Sequence, residues 1–185
     1  VWRHIANCRE SGRQSMVMEV SSQALKYQRV ENLPFDVACF LNIGRDHISP
    51  IEHPTFEDYF ESKLRIFDQA KTAVVNLGTE EVDRVLEAAS TAERLVTVGV
   101  EHPEASLWAS DVRMVGFNIE FNLHGLCADE SEAGEKVLLG IAGDFNVENA
   151  LVAIAAAREI GIGIDAIKKG LSKLRVPGRM EVVES

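Results

Sequence analysis

The chain has 185 residues, with 29 acidic side chains against 19 basic ones and a formal net charge of −10. That length suits one ordinary domain, and the excess of acid disfavours a phosphate backbone or an anionic membrane as partner. No apolar run approaches the ~18 residues of a membrane span, and Val1-Trp2-Arg3-His4 opens no signal-peptide core. Neither a nucleic acid nor a membrane is expected as a partner, and the expected compartment is the cytoplasm. Three cysteines, Cys8, Cys39 and Cys127, sit in mostly apolar stretches without zinc-site spacing, so they read as free thiols. A first residue that is valine, and a final β-prone run from Glu181 to Ser185, read as cut ends of a longer protein.

In chain order, Val1 to Ser11 reads as the end of a helix stopped by Gly12. Ser15 to Val20 is a short apolar strand carrying Glu19 near its end. Val37 to Leu41 is a second strand, left at Asn42-Ile43-Gly44. Thr55 to Ala70 reads as a helix with Thr55 as N-cap and Asp58 three residues on. Ala73 to Asn76 is a third strand, a helix follows from about Glu80 to Ser90, and Leu95 to Val98 is a fourth strand. These strands are apolar throughout, which predicts burial on both faces, as in a parallel sheet flanked by helices. After Pro103 the pattern changes. Leu107 to Leu123 and Lys136 to Ile141 read as longer strands, and Phe117 to Leu123 alternates apolar and polar residues as in an antiparallel meander. Glu130 to Glu135 is an acidic loop. Helices return at Val147 to Ile160 and at about Asp165 to Leu174, before Pro177-Gly178. The fold class expected is α/β: a mostly parallel sheet flanked by helices, with a small antiparallel appendage at about 105–141.

Several residues can carry chemistry. Glu19 and the hydroxyls of Ser21 and Ser22 lie beyond the carboxyl end of a predicted strand, where open α/β sheets bind ligands. Glu19 can hold Mg²⁺ there or cap the helix starting near Ser22. Asp46 and His47 form a polar cluster at the equivalent end of the next strand, either a metal or acid/base pair or an exposed loop. Lys63 lies three residues after Phe60 and four before Phe67 in the stripe Phe56, Phe60, Leu64, Phe67, so it flanks the buried face while Glu57 and Glu61 point elsewhere. A desolvated lysine is partly a neutral nucleophile that can take up CO₂ as a carbamate; the alternative is a lysine whose stem covers apolar surface. Asn146 and Asn149, three apart where a helix begins, suit an adenine edge, with Asn146 also a candidate N-cap. Arg179 follows the stiff turn Val176-Pro177-Gly178 and can meet a phosphate or pair with Glu181.

Taken together, Met18-Glu19-Val20-Ser21-Ser22, Asn42-Ile43-Gly44-Arg45-Asp46-His47, the Lys63 helix, Phe145-Asn146-Val147-Glu148-Asn149 and Val176-Pro177-Gly178-Arg179-Met180-Glu181 occur in an order and spacing that resemble the central, P-loop NTPase-like ATPase domain of the Mur ligases. The branch most similar adds the third residue of the peptidoglycan stem peptide. The resemblance implies residues 1–175 as an incomplete central domain and 176–185 as the start of a linker to a further domain. It implies ATP and Mg²⁺ as cofactors, with a UDP-sugar-peptide and an amino acid as substrates. The carboxylate would be activated as an acyl phosphate and then attacked by the amine. By the same resemblance Glu19, His47 and a carbamylated Lys63 hold magnesium, and Lys63 and His47 serve catalysis. Ser21 and Arg29 contact the UDP-linked substrate, and Asn146, Asn149 and Arg179 contact the nucleotide.

The family's Gly-rich phosphate loop with its lysine is not among these residues, so the 185-residue fragment alone is expected to be inactive. Gln23 stands where the wall ligases usually have histidine, Gly44 where serine is common, and Ile48 to Pro54 replaces the usual loop after His47. A folylpolyglutamate or cyanophycin type of relative, and a non-catalytic binding module, therefore stay open at this level. The oligomeric state and the amino acid added are not legible.

Overall fold

A computed structural model describes residues 1–45, 48–125 and 134–176. Among them, one six-stranded sheet runs in the order β1 (Phe35–Phe40), β2 (Ala70–Asn76), β3 (Arg94–Val100), β4 (Leu107–Val115), β5 (Asn118–His124) and β6 (Glu135–Leu139). β1 to β4 pair in parallel, whereas β4, β5 and β6 pair antiparallel. The antiparallel strands therefore continue the parallel sheet. β4 joins the two halves, pairing with β3 through Leu107 to Ala109 and with β5 over nearly its whole length.

Side-chain pattern explains the division. In β2, Ala73 and Val75 pack into one core while Val74 packs into the other, so both faces are dry. In β5, Ile119, Phe121 and Leu123 are buried, and Asn118, Glu120 and Asn122 alternate with them on a wetter face. The first face is covered by α2 (Ser22–Lys26), α3 (Phe56–Leu64) and α4 (Val82–Ala89). The second is covered by α5 (Phe145–Glu159) and α6 (Ile164–Ser172). Between β4 and β5 the chain turns at Gly116-Phe117, where Gly116 has φ +64°, a conformation glycine adopts without a Cβ penalty.

The structure departs from the sequence expectations at three places. Ser15 to Val20 forms no strand, and Val17 is 97% exposed. An apolar run becomes a strand only when a neighbour completes its hydrogen-bond ladder, and among the described residues the sheet begins at β1. The helix capped by Thr55 ends at Leu64; Arg65–Gln69 tightens into a 3-10 turn that feeds β2 directly. The helix after Gly143 starts at Phe145, so Asp144 occupies the N-cap position and Asn146 lies inside the first turn. The N-terminal helix, α1 (Trp2–Glu10), forms where expected, and none of its residues is fully buried.

Candidate functional site

The carboxyl ends of β1 and β2 gather the polar groups. Leu41 and Asn42 leave β1 there, and Asn76 ends β2. Asn76 is buried at 1% exposure; its Nδ2 donates to Leu41 O and to Glu148 Oε2, each at 3.0 Å, and its Oδ1 accepts from Gly78 N at 3.1 Å. Glu148 thus brings the first turn of α5 against the strand ends. Gly78 leaves room for this approach: a Cβ there would stand 2.6 Å from Glu148 Oε1, the flexible end of that side chain, which would have to move.

Lys63 reaches the same edge from α3. Its Nζ donates to Asn42 O at 3.1 Å and to the Tyr59 hydroxyl at 3.5 Å, and it lies over the rings of Phe40 (5.3 Å) and Tyr59 (5.4 Å). The side chain is half-buried, and that desolvation pulls the ammonium below the ordinary lysine range. On the opposite face of α3, Glu57 and Glu61 are exposed and engage Arg84 of α4. Helical spacing had separated these two faces.

Asn146 Nδ2 donates to Ala142 O at 2.6 Å, and its Oδ1 accepts from Asn149 Nδ2 at 3.4 Å. The two asparagines therefore meet on one helical face, next to Glu148. Ser21, not Glu19, is the N-cap of α2, its hydroxyl accepting from Ala24 N at 3.2 Å. Glu19 is exposed, within the Ser15–Val20 segment that forms no strand. Arg29 is also exposed, its guanidinium 5.7 Å from the Tyr27 ring. Asp46, His47, Cys127 and Arg179 lie outside the described residues, as does 177–185. Cys8 and Cys39 are free thiols, and burial pushes Cys39 up to about 11.

Sequence reasoning passed over a buried network beside Lys63. His53 is completely buried; its Nδ1 lies 2.7 Å from Asp58 Oδ2 and its Nε2 lies 2.9 Å from Ser22 Oγ. A carboxylate only accepts, so Nδ1 carries the proton and Nε2 accepts from the Ser22 hydroxyl in the neutral ring. Lys26 Nζ donates to Asp58 Oδ2 at 2.6 Å and to Glu52 O at 3.1 Å. The sequence offers only a histidine between Pro50 and Pro54, just ahead of the Thr55 cap.

A half-desolvated lysine amine held by a backbone carbonyl, with no carboxylate bonded to it among the described residues, suits a carbamate. The metal itself finds fewer groups: among the described residues no three His, Cys, Asp or Glu side chains cluster as a metal site. Glu19 and Lys63 are the described members of the expected set, and His47 lies outside the described residues.

Residues 1–157 match the model of the Mur ligase middle domain. A UDP-N-acetylmuramyl-tripeptide synthetase of Bifidobacterium longum is 39% identical over 97% of this chain and 35% of its own length. A UDP-N-acetylmuramoyl-L-alanyl-D-glutamate–L-lysine ligase of Streptococcus sanguinis is 37% identical over 97% of this chain and 34% of its own length. The chain thus spans about a third of the length of the curated relatives it matches. Among solved structures, a UDP-N-acetylmuramoyl-L-alanyl-D-glutamate–2,6-diaminopimelate ligase superposes with TM-score 0.83 at 28% identity, over 95% of this chain and 36% of that one. No described helix is long and apolar enough to cross a membrane.

Proposed function

The chain belongs to the Mur ligase middle-domain family, and from that premise we propose that it forms the nucleotide-binding part of an ATP-dependent amide ligase of peptidoglycan precursor synthesis. The substrate class is a UDP-N-acetylmuramoyl-peptide, whose carboxylate is joined to the amine of an amino acid. The relatives that are 39% and 37% identical, a UDP-N-acetylmuramyl-tripeptide synthetase and a UDP-N-acetylmuramoyl-L-alanyl-D-glutamate–L-lysine ligase, support this class over folylpolyglutamate chemistry. Those relatives and the structural neighbour differ in the amino acid named, L-lysine in one and diaminopimelate in another, so the amino acid is left open.

The single observation that carries the reading is the state of Lys63. Its desolvated amine, anchored on Asn42 O at the end of β1, has the chemistry of a carbamate-forming lysine. In the proposed assignment Glu19, His47 and the Lys63 carbamate hold magnesium. Magnesium, when bound, neutralises charge on phosphoryl oxygens. The chain's own residues do the rest. Asn146 and Asn149 present amide edges to the adenine from the first turn of α5, and Glu148 holds that turn against Asn76. Arg179 offers a cation to the nucleotide. Ser21 and Arg29 face the UDP-linked substrate. Free thiols such as Cys8 and Cys39 suit a reducing cytoplasm as the compartment.

The test is phosphate release by the full-length ligase containing this chain, with UDP-N-acetylmuramoyl-dipeptide, ATP, magnesium and a panel of amino acids. Turnover is expected only when all four are present, and Lys63→Ala is expected to reduce it by at least ~10². Wild-type turnover on a folate-polyglutamate acceptor but not on the UDP-linked peptide would overturn the substrate class.

A further inference from the structure

Three elements meet at His53. Its ring joins Ser22, on α2 just past Glu19, to Asp58 on α3, and packs against Tyr59 with centroids 5.2 Å apart. Tyr59 in turn contacts Lys63, through its hydroxyl and through its ring. His53 also closes its own loop: Ser49 N donates to His53 O at 2.9 Å, and Lys26 ties Glu52 O to Asp58. A fully buried imidazole with both nitrogens engaged is a rigid spacer, since either bond lost leaves a buried polar atom unsatisfied.

We infer that His53 is a positioning residue that fixes the separation between the Glu19–Ser22 segment and the Lys63 amine, acting through Ser22 on one side and Asp58–Tyr59 on the other. This rests on the ligase reading above, because the quantity it sets is the spacing of two proposed magnesium-holding groups. His53, buried between Ser22 and Asp58, has no role in touching substrate or nucleotide. Its effect is on how well Lys63 is preorganised, so loss of the bridge should weaken metal retention and carbamate occupancy more than nucleotide binding. Outer partners of metal ligands have effects of this kind.

The experiment uses the full-length ligase with Ser22→Ala, Ser22→Thr, His53→Asn and the Ser22→Ala/His53→Asn pair. Two quantities are read: the magnesium concentration giving half-maximal phosphate release, and the ¹³C resonance of the Lys63 carbamate in ¹³C-bicarbonate. Ser22→Ala and His53→Asn are each expected to raise the magnesium requirement about 10-fold and to weaken the carbamate resonance. The KM for ATP should stay within about twofold. Ser22→Thr, which keeps the hydroxyl, should retain both properties. The pair should be no worse than the worse single variant, because both changes break one bridge. Additive effects, or a loss of melting temperature with magnesium requirement and carbamate resonance unchanged, would overturn the positioning role and leave the ligase reading standing. Wild-type protein without ATP-dependent ligation would overturn both.

Discussion

Asn76 and Glu148 lie 72 residues apart in sequence and share one 3.0 Å hydrogen bond, Nδ2 to Oε2, at the carboxyl end of the sheet. The same amide holds Leu41 O, so one side chain of β2 fastens β1 and α5 together. Because α5 carries Asn146 and Asn149, this bond sets where the proposed adenine edge stands relative to Lys63.

Replacing Asn76 by alanine removes the donor for two acceptors while Glu148 stays half-buried. A loss of about 1–3 kcal/mol in unfolding free energy is expected from the stranded acceptors, read by urea denaturation. Gly78→Ala probes the same contact differently. The added Cβ meets the flexible end of Glu148, so the carboxylate should swing away with a smaller loss of stability but weaker nucleotide binding. Equal nucleotide affinity in Gly78→Ala and wild type, measured by calorimetry, would show that the Glu148 contact does not govern the α5 turn.

Lys63 and Lys71 are a matched pair with opposite environments. Burial lowers Lys63, whereas the Asp36 carboxylate beside Lys71 raises it. The neutral amine is the reactive form, so carbamylation of Lys63 by cyanate should reach its half-maximal rate at a lower pH than that of Lys71. Peptide-level mass spectrometry across a pH series reads both sites in one sample. A Lys71 midpoint at or below that of Lys63 would contradict the desolvation.

Asp58 links its environment to acid stability. The Lys26 ammonium, and after it the His53 ring, hold its carboxyl below the ordinary range. A lowered folded value means that the unfolded chain binds the proton more readily. The contribution is therefore present above the unfolded value of about 3.9 and is lost as pH falls through the lower folded value. Asp58→Asn should melt lower than wild type at neutral pH, with the gap narrowing below about pH 4. A gap that widens on acidification would reverse the assigned sign.

The sequence made the parallel half and the meander legible for a physical reason: Ala73-Val74-Val75 is apolar at every position, and Asn118 to Leu123 alternates. Lys63 was legible because 3.6-residue spacing places it between Phe60 and Phe67. Ser15 to Val20 misled because hydrophobicity reports a tendency to pair, while pairing itself depends on a neighbour elsewhere in the chain. His53 and Asn76 stayed hidden because each draws its meaning from a partner outside its own element. Ser22 lies 31 residues before His53, and Glu148 lies 72 residues after Asn76. No local pattern encodes such a bond.

The change of strand direction at β4 has a kinetic consequence. Val115 faces Asn118 only three residues on, so the β4–β5 ladder can zip from its turn. Phe35 faces Ala70, 35 residues on, and that pair forms only after an intervening segment has been closed into a loop. The antiparallel half should therefore acquire amide protection first during refolding, with the β1–β2 ladder following it. Pulsed hydrogen exchange would order the two: the edge that holds Asn42, Asn76 and Lys63 is expected to be among the last parts of the sheet to lock, so the proposed chemistry would assemble on a scaffold whose far side is already in place.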